Sequence, residues 1–197
     1  MDLLEMLTSG MGGSGLLQQL GQKEDIGADK AEEIAELGIP AILEALKRNA
    51  STPEGASALS KALDDHSEDD VTDLSGFLTN VNKEDGSKML DHILAGKKEN
   101  VTSALAAKSG LDSSTVMSLL SMLAPLVIGA MAKKKKEDNL DTSGISDLTS
   151  MITGQLSKKS SGSGGGIMDV VGQLLDSDGD SSGGLLGNLG SLLGLFK

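Results

Sequence analysis

The sequence predicts an all-α protein: an internally duplicated multi-helical bundle followed by a flexible Gly/Ser-rich C-terminal tail. Three observations lead there. The 197 residues contain no Trp, Tyr or Cys, and Phe77 and Phe196 are the only aromatic residues. A core must therefore come from Leu, Ile, Val, Met and Ala, a mixture that suits helices better than strands, which want β-branched and aromatic runs. Pro40 and Pro125 also hold matching places in two stretches that align without a gap, LLQQLGQKEDIGADKAEEIAELGIPAILEALKR from Leu16 and VTSALAAKSGLDSSTVMSLLSMLAPLVIGAMAK from Val101. Finally, Gly and Ser accumulate after residue 157, as in GSGGG and DSSGG, where linkers rather than core elements belong.

Residues 1–13 read as an arm, with Leu3, Leu4, Met6 and Leu7 ahead of the Gly-rich GMGGSG. The duplicated domain is placed at 14–155 and the tail, carrying short amphipathic helices, at 156–197. A first helix is expected near Leu16 to Gln22, and a longer one from Asp29, capped by that side chain with Glu32 answering three residues on. Pro40, preceded by Gly38, should kink or interrupt it, because proline lacks the N–H and crowds the carbonyl of Glu36. Thr52-Pro53 supplies an N-cap with proline at the first helical position, ahead of Ala58, Leu59, Ala62 and Leu63 on one face. DDHSEDDVTD (64–73) is a solvated acidic turn. Short helices then follow from Leu74 to Val81 and from Gly86, the latter gathering Met89, Leu90, Ile93 and Leu94. EGASALSKAL from Glu54 resembles DGSKMLDHIL from Asp85, so helix pairs are the repeating unit. In the second copy, Asn100 and Asp112 are the expected caps for helices reaching Lys108 and about Ala132. LDTSGISDLTSMITGQL is a further helix, KKSSGSGGG (158–166) a linker, and IMDVVGQLLD a short amphipathic helix.

A formal net charge of −12 disfavours a nucleic-acid backbone, which needs a basic surface. Anionic membranes are disfavoured for the same reason. With Asp2 and Glu5 where a secretory leader would carry cations, the expected location is cytoplasmic. Val116 to Ala132 is uncharged, apolar and followed by four lysines, which imitates a membrane span. Its counterpart carries Glu32, Glu33, Glu36, Glu44 and Lys47, and two copies of one unit should pack alike. The stretch is thus expected to be the most buried helix of a bundle, with Ser118, Ser121 and Gly129 at close contacts and the first copy lying outside it. Lys133 to Lys136 complement a helix C-terminus.

Candidate sites are few. Asp176, Asp178 and Asp180 occupy the first, third and fifth positions of a calcium-loop pattern, but Ser181 and Gly187 replace the glycine and the bidentate glutamate it requires, which allows calcium only a weak site. His66 and His92 lack a zinc-motif partner apart from carboxylates such as Asp70. Nothing assembles a nucleophile, an acid and a base, so no enzymatic activity and no cofactor are expected. In the last stretch, Leu185, Leu189, Leu192 and Phe196 form a helical stripe with Leu186 and Leu193 beside it, while Gly183, Gly187, Gly190 and Gly194 line a neighbouring stripe. Leu next to small residues favours close helix contacts, so these six apolar residues are the expected interaction surface, with a second copy or another protein as partner.

The apolar start at Met1 to Leu7, NASTPEGASALSKALDDH (49–66), GSKMLDHILAGKKENV (86–101) and SGLDSSTVMSLLSMLAPLVIGAM (109–131) together resemble a bacterial family known as domain of unknown function 937, which includes YidB-like proteins. The tail is similar too, with an Asp-rich segment before a Gly/Leu-rich end. The resemblance implies an all-α fold of repeated helices and no activity. The functional expectation is a non-enzymatic, self-associating interaction or scaffold protein; the alternative is a calcium- or envelope-associated protein whose tail engages metal or lipid.

Overall fold

Aliphatic residues at helical spacing build eight helices in the computed structural model, which describes residues 15–160 apart from 70 and 72, together with Gly172 and Leu175. They are α1 (Leu16–Lys23), α2 (Ala28–Asn49), α3 (Pro53–Asp65), α4 (Leu74–Asn80), α5 (Lys83–Leu94), α6 (Lys98–Ser109), α7 (Ser113–Asp138) and α8 (Thr142–Ser160). No strand occurs among the described residues, so the all-α class holds. The expected arm at 1–13 lies outside the described residues, as does most of 161–197.

The starts of α2 and α7, Ala28 and Ser113, are separated by the same interval as Pro40 and Pro125, and α1 and α6 precede them in the same order. The correspondence reaches further. Thr52 and Asp141 cap α3 and α8 by accepting the amides of Gly55 (3.1 Å) and Gly144 (2.9 Å), and buried Leu59 and Leu63 on α3 match buried Leu148 and Ile152 on α8. The third helices cross over: α8 packs on α2 and α3 packs on α7. Ser146 of α8 donates to the Ala50 carbonyl after α2 (2.7 Å), while Lys135, which the duplication matches to Ala50, donates to Ser60 of α3 (2.9 Å to Oγ).

Both prolines lie inside unbroken helices. The chain is not interrupted at Pro40, because helix on either side of it is packed and holds the turn together. In α7 the missing Pro125 N–H leaves the Ser121 carbonyl without its i+4 donor, and there α5 comes closest: a Cβ at Gly86 would overlap the Ser121 oxygen. Burial of α7 is continuous from Leu119 to Ala132. Yet α2 is also buried from Leu37 to Leu43, so the first copy is a second central helix, not an outer one. The two cross where Gly38 meets Leu120, whose Cδ2 would sit 2.6 Å from a Cβ there. α7 is the one described helix long and apolar enough to cross a membrane, and 83% of that window is buried against its neighbours.

Several boundaries shift. Gly27, with no side-chain cap, precedes α2, and Asp29 falls inside the first turn. Asn82 starts α5 a turn before Gly86 by accepting the Glu84 amide (2.9 Å). Asn100 sits within α6, which Lys97 precedes without a side-chain cap. Thr52 and Asp112 cap as the sequence indicates, Asp112 accepting the Thr115 amide at 2.9 Å. α8 runs through Ser160, into the start of the expected linker. Of the tail, Gly172 and Leu175 are helical; Leu175 is buried on the core, and the Gly172 carbonyl accepts from Arg48 at 3.2 Å.

Candidate functional groove

α3 and α5 lie side by side over α7 with a groove between them. Their similarity explains how it forms. When the two helices are aligned on that likeness, Leu59 and Leu63 on α3 correspond to Leu90 and Leu94 on α5, and all four are buried in the core. Gly55 and Gly86 correspond as well, each at a backbone contact that a Cβ would overlap: Gly55 on the Asn49 carbonyl, Gly86 on that of Ser121. The remaining matched positions line the groove, Ala58 with Met89 and Ala62 with Ile93. On α5 those positions carry long side chains; on α3 they are cut back to methyl groups. The missing volume is the groove, a cavity of about 540 Å³ floored by Leu46 of α2 and Ile128 of α7. Thus Ala58, Leu59, Ala62 and Leu63 do not share one face: the leucines enter the core and the alanines look into the groove.

Arg48 and Asn49 close one end, where the Asn49 amide donates to the Ile93 carbonyl (2.9 Å) and ties the end of α2 to α5. At the other end His66 and Met89 open into a more polar cavity of about 500 Å³, bordered by Asp69, Asp73, Asp85, Phe77 and Pro125. Its acids already have work in the fold. Asp69 accepts from the His66 imidazole (2.8 Å), Asp73 caps α4 through the Gly76 amide (3.0 Å), and Asp85 accepts from Asn82 (2.9 Å). No group of three or more His, Asp or Glu side chains disposed to hold a metal occurs among the described residues. His92 lines the groove from α5 and is exposed.

Two of the lysines that close α7 meet α3 and the acidic turn after it. Lys135 reaches Asp64 as well as Ser60, Lys136 reaches Glu68 (2.7 Å), and Lys134 reaches Asp138 within its own helix (3.0 Å). The Lys136 ammonium holds the Glu68 carboxyl below its ordinary range. Lys135 thus fastens α7 to α3, and Lys136 pairs with the turn that follows α3. The small residues of α7 divide similarly. Ser121 meets α5, Gly129 meets Val71 of the turn, and Ser118 donates to Glu24 (2.8 Å) in a polar cluster completed by Lys83.

Asp176, Asp178 and Asp180 lie outside the described residues, as do Leu185, Leu186, Leu189, Leu192, Leu193 and Phe196. The groove itself was not foreseen. Its signal was present in the likeness of EGASALSKAL to DGSKMLDHIL, where Ala faces Met and Ala faces Ile.

Compared with known proteins, the chain matches the sequence model of one family, described as "Bacterial protein of unknown function (DUF937)", over residues 5–134. That span includes every residue named above as lining the groove. No curated protein and no solved structure matches.

Proposed function

We propose, for a chain that belongs to the bacterial domain of unknown function 937 family, a non-enzymatic role as a helical interaction protein that self-associates, the groove between α3 and α5 receiving an apolar helix from a second copy. The observation that carries this reading is the groove's composition and origin. Leu46, Leu59, Ile93 and Ile128 are withdrawn into its floor and sides, and two alanines stand where the matching helix has Met and Ile. Its volume lies within the roughly 300–1,000 Å³ of built binding pockets. The same chain supplies a fitting ligand in Leu185, Leu189, Leu192 and Phe196, one apolar stripe at helical spacing. Thr52 is used as a cap, Arg48 pairs with Glu44 and His66 with Asp69, which speaks for binding rather than chemistry. On this reading the protein is cytoplasmic and works without cofactor, nucleic acid or membrane.

Sedimentation equilibrium of the full chain and of Ala62→Arg tests it. The wild type should gain weight-average mass toward dimer as concentration rises to about 1 mM, the effective concentration of a short tether, while the variant, with unchanged helicity, should stay monomeric. Equal masses for the two chains at every concentration would refute groove-mediated association.

A further inference from the structure

Resting on that reading of the groove, we infer that in the unassociated chain it is filled by the chain's own residues 185–196. Position is the first reason. The Gly172 carbonyl accepts a hydrogen bond from Arg48 at 3.2 Å, and Arg48 lines the groove. Leu175, just beyond it, is buried on the core. The chain is thus anchored beside one end of the groove. From there DSDGDSSGG (176–184) spans at most about 30 Å when extended, enough to lay the next residue anywhere along α3, whose 13 residues are about 20 Å long.

Size and shape agree. Residues 185–196 as a helix would run about 18 Å, close to the length of α3. The Leu185, Leu189, Leu192 and Phe196 stripe fits the wall thinned by Ala58 and Ala62. The glycine stripe at 187, 190 and 194 fits the opposite wall, where Met89 projects above the buried Ile93. Each bulky face meets a thin one. Energetics point the same way. Glycines cost a helix about 1 kcal/mol each against alanine, and leucines left in water forgo about 1.5–3 kcal/mol apiece, so a stretch of this composition gains from docking. A short tether holds it near its own groove at an effective concentration on the order of millimolar. A second copy therefore competes only when chains are concentrated to that level, and self-association becomes a matter of exchanging the stretch between copies.

The chain has no cysteine, so Lys197→Cys accepts a single nitroxide label beyond the stripe. The methyl resonances of Met89 and Ile93 report on the groove. In dilute, isotope-labelled chain carrying the nitroxide they should lose most of their intensity, and recover it on reduction of the label or with Leu189→Asp and Leu192→Asp added. A mixture of isotope-labelled chain without nitroxide and unlabelled chain with it should show full intensity. Loss only in the mixture would assign the groove to a second copy, and no loss in either sample would leave the stretch undocked; both overturn the inference. Docking in cis without any effect of Ala62→Arg on mass would instead defeat the self-association reading alone.

Discussion

α3 and α5 use one pattern in two ways. Both turn a Leu pair into the core, both carry in the first turn a glycine that lets backbone meet backbone, and both are capped by a neutral side chain, Thr52 or Asn82. They differ at the third face. Met89 and the buried Ile93 fill out α5 toward the groove, whereas Ala58 and Ala62 leave α3 thin. What repeats is therefore structural, and what diverged makes a site. A similar lesson comes from α2 and α7, where the shared proline sits in a continuous helix in both copies while the freed carbonyl of Ser121 receives α5.

The largest expected effect tests the shared core. Leu90→Ala empties a fully buried position and should lower unfolding stability by about 2–5 kcal/mol in chemical denaturation. Leu59→Ala, at 6% exposed and bordering the groove, should cost less, because the wall can close in. Equal losses would mean that the groove gives α3 no extra freedom. Next comes the shared glycine. Gly86→Ala drives a methyl into the Ser121 carbonyl of the central helix and should cost about 1–3 kcal/mol despite its better helix propensity. Gly55→Ala meets the Asn49 carbonyl at the end of α2 and the capping Thr52 hydroxyl, away from the central helix, so its loss should be the smaller.

Removing a cap should cost about 1 kcal/mol in either helix, Thr52→Ala or Asn82→Ala, measured by thermal unfolding. The smallest effect concerns acid. The caps of α3 and α5 do not titrate, but those of α7 and α8 do. Hydroxyls of Ser114 and Thr115 with the Thr115 amide hold Asp112 far below its ordinary value, and the Gly144 amide with the Ser143 hydroxyl lowers Asp141. A carboxylate depressed in the folded state lends stability that is full above its ordinary value of 3.8 and is lost as pH falls through the folded value. Acid should therefore weaken the starts of α7 and α8 below about pH 4 while α3 and α5 keep their caps. In Asp112→Asn, stability between about pH 4 and 2 should fall less steeply than in wild type.

Much of the fold was legible because helices announce themselves locally. Thr52-Pro53 and Asp112 mark starts through their own side chains, and the apolar pattern carried the duplication from the Pro40 helix to the Pro125 helix. Asp29 and Asn100 misled, since an acid or amide in a first turn looks like a cap until the backbone beyond it is known. The extent to which α2 is buried was hidden by Glu32 and Glu36, which keep one edge in water while Leu37 to Leu43 go inside. The groove was illegible for a different reason. Alanine at helical spacing reads as core, and the pairing of Ala58 with Met89 and Ala62 with Ile93 gains its meaning once α3 is placed beside α5.

Filling that space on α3 as α5 fills it, with Ala58→Met and Ala62→Ile, separates a groove made to be occupied from a gap left by loose packing. Amide hydrogen exchange of residues 185–196, in dilute wild type and in this double variant, reads the difference directly. Docking in the groove requires protection of these amides in the wild type and its loss in the variant. Fast exchange in both chains, or protection that survives the filling, would contradict it.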